Sequence, residues 1–313
     1  MKKILNIVSG DTVIKQMKEA KVFGSFLPWR DFLHEGPAPE ALSLEALSKV
    51  RARYISKQYL GDFSKVHQSF KDRDSTLKSF KKYDSILLWF EHDLYDQLQL
   101  IQLLNWFAKY ASNHTKISII KPENYLAKST PQELTHFLLY NRETITHNHL
   151  ITARKAWSAF TSKTPEAIYK LLYDDVEALP FLKDAINRLL EEYPNTKNGL
   201  SRTAHQALLI ISKGKNRPQD IFEEYQKSEQ RIFMGDIIFW NVIKKLTEAN
   251  LLNYTENGQN LRLTSLGREV LEGKKKLFEF HKINRWIGGV HLTLNNLWCW
   301  DIKKRKIVFL GKE

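Results

Sequence analysis

Cys299 is the only cysteine in the chain. Its isolation excludes an intramolecular disulfide and any cysteine-based metal cluster, and one thiol in 313 residues fits a reducing compartment. Long hydrophobic runs are missing too: no stretch approaches the roughly 20 apolar residues that a membrane helix needs. The opening MKKILNIVSGDTV holds an apolar run of only Ile4 to Val8. That is too short for a signal-peptide core and no small-residue cleavage site follows, so a cytoplasmic protein with no membrane partner is expected. Neither G-x-G-x-x-G nor a Walker sequence occurs, which disfavours a dinucleotide or P-loop site. Without a nucleophile elbow, a serine nucleophile also lacks support.

What is present is core and charge. Hydrophobic residues make up 42% of the chain and aromatic ones 12%, enough to exclude a largely disordered protein. Lys and Arg number 48 against 35 Asp and Glu, a net of +13, so an anionic partner is expected. The excess is uneven: +5 over residues 1–150, −1 over 151–195 and +9 over 196–313. Nowhere does it form the block of like charges that marks a disordered basic tail.

The first part alternates short apolar runs with amphipathic stretches. Strands are expected at Lys3 to Val8, Gly24 to Trp29, Ser85 to Phe90 and Lys116 to Lys121. Helices are expected near Thr12 to Ala20, Ser43 to Leu60, Phe63 to Lys82 and Leu94 to Ala111. Continuous apolar strands separated by helices predict an α/β domain over residues 1–128 with a Rossmann-like, mostly parallel sheet covered on both faces. Residues 129–195 read as helical throughout, broken at Pro165 and Pro180. Residues 196–313 read as a winged-helix-like α+β domain. Its helices are Leu200 to Ser212, Pro218 to Gln226 and Phe233 to Ala249, its hairpin turns at Glu256-Asn257-Gly258, and a second hairpin is expected within Gly289 to Leu310.

Ligands of an open parallel sheet bind beyond the carboxyl ends of its strands. Three strands here end in polar loops: Ser9-Gly10-Asp11, then Trp29-Arg30-Asp31 with His34-Glu35-Gly36-Pro37, and Glu91-His92-Asp93 followed by Tyr95, Asp96 and Gln97. Each residue has an ordinary structural use. Ser9 or Asp11 suits an N-cap, Asp93 with Asp96 resembles a capping box, and Gly36-Pro37 is turn chemistry. Capping does not account for Glu91 and His92 beside the cap, nor for a loop that crowds Trp29, Asp31, His34 and Glu35.

The expected catalytic set is therefore Asp11, Asp31, Glu35, Glu91, His92 and Asp93, with Ser9, Gly10, Trp29, His34, Asp96 and Gln97 binding substrate. His34, Glu35, Glu91, His92 and Asp93 could supply nitrogen and oxygen ligands to a divalent metal, although their spacing matches no standard zinc pattern. Alternatively, Glu91 or Asp31 could be a general base with a histidine as acid, and the helix near Thr12 could hold a phosphate.

The C-terminal third offers a rival reading, nucleic-acid binding through Lys244 and Lys245. Its third helix, however, is apolar over much of its surface, which favours packing over base reading. In Asn284-Arg285-Trp286-Ile287-Gly288-Gly289-Val290-His291-Leu292 the paired glycines permit close backbone approach, and Arg285 or His291 could reach the crevice to bind an anion.

The runs Leu5 to Val13, Trp29 to Pro37 and Leu88 to Leu100 resemble the bacterial family catalogued as domain of unknown function 1835, with Ser9 where that pattern would have Asn. Asn198 to Thr203, Phe233 to Asp236 and Arg285 to His291 resemble its longer members. The resemblance implies no activity. The expectation from the residues is an enzyme, a hydrolase or transferase, acting on a phosphate-bearing small molecule or nucleotide. The alternative is a ligand-sensing DNA-binding regulator.

Overall fold

In the computed structural model, residues 2–311 are described except 113 and 257, so Asn257 of the expected turn lies outside the described residues. Four strands, β1 (Ile4–Val8), β2 (Ser25–Pro28), β4 (Ser85–Trp89) and β5 (Ile117–Ile120), run parallel, and β6 (Arg142–Thr144) closes the edge antiparallel to β5. The order β2-β1-β4-β5-β6 places a topological switch point between β1 and β4, because the chain leaves β1 for one side and returns as β4 on the other.

Alternation along these strands sends side chains to two layers. Leu5, Ile7, Ile86, Leu88, Ile117 and Ile119 face a layer that includes α2 (Leu44–Ile55), α4 (Leu94–Tyr110) and α6 (His147–Thr161). Val8, Leu87, Trp89 and Ile120 face α1 (Asp11–Glu19) and α5 (Pro131–Tyr140). Burial on both faces is why these strands read as unbroken apolar runs. Strand β6 was invisible to that criterion: its three residues are polar and largely open to solvent, so the segment read as helical throughout.

Helix α3 (Phe63–Lys78) pairs with α2, and α7 (Glu166–Lys170) and α8 (Leu182–Leu190) complete the middle of the chain. Beyond lie α9 (Arg202–Ser212), α10 (Pro218–Ser228), α11 (Asp236–Glu248), the hairpin β7 (Leu252–Tyr254) and β8 (Leu261–Leu263), α12 (Ser265–Glu272) and α13 (Leu277–Phe280). The last segment holds two hairpins rather than one, β9 (Arg285–Gly288) with β10 (Val290–Leu292) and β11 (Trp298–Asp301) with β12 (Lys306–Phe309).

One apolar cluster runs from Leu5 through Leu190 to Trp300 and crosses both expected boundaries, at 128 and 195. A strand pairing crosses them too. β3 (Gly36–Pro37), inside the loop after β2, pairs in parallel with β9. The approach is close enough that a Cβ on Gly289 would collide with the Thr161 carbonyl, and Gly288 has φ +57° beside the Phe160 carbonyl. Paired glycines are what this packing requires.

The loop between β2 and α2 is held from within by Arg51. Its guanidinium meets Asp31 at 2.8 Å, with both side chains fully buried, and donates to the carbonyls of Phe32, Glu35 and Pro37. Arg51→Met leaves the Asp31 carboxylate buried and unpaired, which costs about 3–5 kcal/mol. Urea denaturation should show that loss, and Arg51→Met combined with Asp31→Asn should recover part of it.

Candidate active site

The three polar strand ends do share one edge of the sheet, but their side chains divide among separate environments. Asp11, at the exposed start of α1, turns outward to a bidentate pair with Arg30 at 2.5 and 2.6 Å, a hydrogen bond that holds its carboxyl below the ordinary value. Asp31 is committed to Arg51. Trp29 is buried, its indole N–H donating to Gln102 Oε1 at 2.7 Å, with the Arg73 guanidinium 3.9 Å from its ring centroid. His34 is buried against the rings of Phe233 and Tyr95, with neither ring nitrogen hydrogen-bonded, and burial pushes it down to about 4.

Glu35 lies further along, where Arg285 of β9 reaches it. Arg285 Nη2 pairs with Glu35 and also with Glu192 at 3.2 Å, Tyr54 donates to Glu35 at 3.2 Å, and Lys245 Nζ stands 3.9 Å away. Burial favours the neutral acid, yet Arg285 and Lys245 outweigh it and hold the Glu35 carboxyl below its ordinary value. Arg285 thus does reach back, but what it binds is the protein's own carboxylates. His291 does not reach the sheet edge; it stacks on Trp286 and hydrogen-bonds Asn284 at 2.7 Å.

The third loop is different. One oxygen each of Glu91, Asp93 and Asp96 lies within 4.8 Å of the others, and all three residues are buried. Asp93 caps α4 by accepting from the Asp96 N–H at 3.1 Å, as the sequence suggested. Asp96 reaches back two residues further than in a capping box, accepting from the Glu91 N–H at 2.7 Å. Glu91 accepts from the Leu126 N–H at 2.6 Å, and Gln97 fixes the Glu91 carbonyl at 2.6 Å.

No ion pair at these three carboxylates is found among the described residues, and their protonation shows it. Burial, then the charge of Asp93, pushes Glu91 up to about 8. Burial pushes Asp93 up to about 7 against its backbone hydrogen bonds. Burial and the two neighbouring acids raise Asp96 well above the ordinary carboxylate range.

The cluster faces a cavity of about 400 Å³ at the switch point. Ser9, Gly10, Thr12 and Val13 line its other side, where Gly10 precedes α1 at the N-cap position and offers no side-chain cap. Tyr95 ties the two walls together through its hydroxyl, which donates to the Ser9 carbonyl at 3.1 Å. Tyr125 and Lys128 close a third side, and Ile232 to Gly235, from the loop between α10 and α11, form a fourth. Tyr125 and Lys128 were missed in the sequence, although they follow β5 and the rule that flagged the other strand ends applies to that one equally. The contribution of the 232–235 loop had no local signal.

His92 points away from this cavity. Its ring packs on Tyr125 and Phe181, its carbonyl accepts from Arg231 at 2.9 Å, and it lines a separate polar cavity of about 270 Å³ with Arg188 and Arg231. Lys244 and Lys245 also part company. Lys244 faces outward beside Glu248 at 3.8 Å, whereas Lys245 turns in toward Glu35. No family model matches this chain, and no curated protein matches it.

A carboxyl whose pKa is higher folded than unfolded binds more protons in the native state. Its stabilisation is complete below the unfolded value and lost as pH rises through the folded one. For Glu91 and Asp93 that window runs from about 4 up to about 8. The unfolding free energy of the metal-free protein, from urea titrations, should fall across it by up to about 1.4 kcal/mol per pH unit for each proton lost. Glu91→Gln should flatten the slope, and a wild-type slope no steeper than the variant's would contradict the assignment.

Proposed function

We propose that the cavity between β1 and β4 binds a phosphate-bearing small molecule together with a divalent cation, and that the protein is a hydrolase or transferase acting on that molecule. One observation carries the reading: three buried, unpaired carboxylates and the uncapped start of α1 face the same cavity at the switch point. Carboxylates of this kind suit a hard cation that also takes substrate phosphate oxygens. Backbone N–H groups at a helix start suit the phosphate itself, with the Lys128 side chain on the same wall.

A bound cation would supply Lewis-acid polarisation and favour the ionised acids. Of the three carboxylates, Glu91 and Asp93 have pKa values near neutrality, which is where a general acid or base works best. A nucleotide is the expected class of ligand, because the switch point of such sheets accommodates a phosphate and an attached ring. The motifs that resemble domain of unknown function 1835 supply Ser9, Gly10, Glu91, Asp93 and Asp96 to this cavity.

For the C-terminal region we infer a winged-helix-like unit, α9 to α11 with the β7–β8 hairpin, that serves as a docking module. The alternative, a DNA-reading regulator, needs a free third helix. Helix α11 instead buries Ile238, Phe239, Ile243 and Leu246, bonds Tyr59 through Asn241 at 3.2 Å and turns Lys245 inward.

Calorimetric titration with Mn²⁺ tests the proposal. One ion should bind, more tightly at pH 8 than at pH 6 because it displaces protons. Glu91→Gln and Asp93→Asn should each weaken it at least tenfold, and a nucleoside diphosphate should bind only with the metal present. No Mn²⁺ binding by the wild type, or equal binding by the variants, would overturn the reading.

A further inference from the structure

A second cavity, of about 460 Å³, lies between the start of α2, the C-terminal half of α4 and α6. Gln102, Asn105, Trp106 and Lys109 reach it from α4 at helical spacing, and Arg154 and Trp157 reach it from α6, three residues apart. That spacing puts each set on one helix face. Together the two faces bear two carboxamides, two indoles and two cations, and the α4 face is unlike the Leu and Ile face that α4 turns to the sheet. Core packing accounts for the two indoles, which lie against the main apolar cluster, but not for the carboxamides and cations beside them.

Gln102 gives the cavity a defined chemistry. Its side chain is buried, with 4% exposure, and its Oε1 accepts from the Trp29 indole at 2.7 Å. An indole N–H can only donate, so the orientation of the amide is fixed: oxygen toward Trp29, Nε2 on the other side. Nε2 bonds no described residue and is not sealed in the interior, and the residue lines the cavity. An amide donor that opens on a cavity is free to bond an acceptor on whatever fills the space.

The remaining groups narrow the ligand. Trp106 and Trp157 are half-buried on the lining; Trp106 is braced by Phe80, Phe107 and Tyr110 with centroids 4.7–5.5 Å away. Neither Asp nor Glu lines the cavity, and its charged groups are Lys109 and Arg154. Lys109 lies over the Tyr110 ring at 5.3 Å, and Arg154 is exposed with no ion pair among the described residues.

We infer that this cavity is a binding site for a small aromatic anion: a planar ring stacked by the tryptophans, a ring acceptor read by Gln102 Nε2, and a phosphate or carboxylate held by Arg154. A nucleoside monophosphate meets all three requirements, and the volume falls in the range of small-molecule sites. The site lies apart from the carboxylate cavity and shares no lining residue with it, so it stands without the reading given above.

The test is calorimetric titration of the full chain with adenosine 5′-monophosphate in EDTA, which silences any metal-dependent binding at the carboxylates. One molecule should bind. Arg154→Ala, at an exposed position with no ion pair among the described residues, should weaken it about tenfold. Gln102→Glu keeps the acceptor for Trp29 but removes the donor, and should weaken it by a similar factor or more. Adenosine should bind about tenfold more weakly than the monophosphate, and inorganic phosphate should not compete. No binding in EDTA, wild-type affinity in Arg154→Ala, or a loss that follows Glu91→Gln instead would overturn the proposal.

Discussion

A buried chain of charges fixes how the two ends of this protein meet. Glu35, from the loop after β2, pairs with Arg285 from β9. Arg285 also pairs with Glu192, Glu192 with Arg188 at 2.8 Å, and Arg188 with Glu229 at 2.6 Å. Glu35, Glu192 and Glu229 are each no more than 8% exposed. A charge in such surroundings is tolerable only with its partner in place, so each link penalises every arrangement that would separate it. Burial opposes ionisation of Glu192, yet Arg188 and Arg285 bring its carboxyl down to about 2. The chain therefore stays ionised through the neutral range and keeps β9 registered against β3.

The same chain shapes the crevice. Glu229 ends α10, and the residues just after it, Ile232 to Gly235, form one wall of the carboxylate cavity. Pinning Glu229 to Arg188 brings that loop over the sheet, where Arg231 binds the His92 carbonyl and the Ile232 N–H donates to the Tyr125 hydroxyl at 2.5 Å. The contrast between acids is what the proposed site rests on. Asp31, Glu35, Glu192 and Glu229 are buried and matched by arginines; Glu91, Asp93 and Asp96 are buried and matched by none among the described residues. Structural acids in a protein interior come with partners, so an unmatched trio on a cavity wall points to function.

The strands were legible because burial on two faces imposes an unbroken apolar run, and the polar strand ends were legible because a rigid sheet has only one place to display them. Which of those polar residues act chemically could not be read locally. Asp31 and Arg51 are 20 residues apart, and Glu35 and Arg285 are 250 apart. A carboxylate and its distant arginine look unrelated in one dimension, so Glu35 seemed as available as Glu91. The capping role of Asp93, which depends on residues three positions away, was correctly suggested by sequence for the same reason: the interaction is local. His92 shows the remaining difficulty. Neighbours in a loop can face opposite directions, and no spacing rule separates Glu91 from the residue beside it.

The net charge needs the same division by environment. Arg51, Arg73, Arg188 and Arg285 work inside the molecule, neutralising buried acids rather than presenting a field to solvent. Lys245, which the basic C-terminal third had suggested for a nucleic-acid backbone, belongs to the environment of Glu35. Attraction for an anion depends on cations left unpaired beside a surface that can hold one. Lys128 on the wall of the carboxylate cavity and Arg154 on the rim of the second meet that condition, and both stand at cavities of small-molecule size rather than along an extended groove. Those internal pairs cancel in the sum of +13, and Lys128 and Arg154 are the cations on which the two proposed anion sites depend.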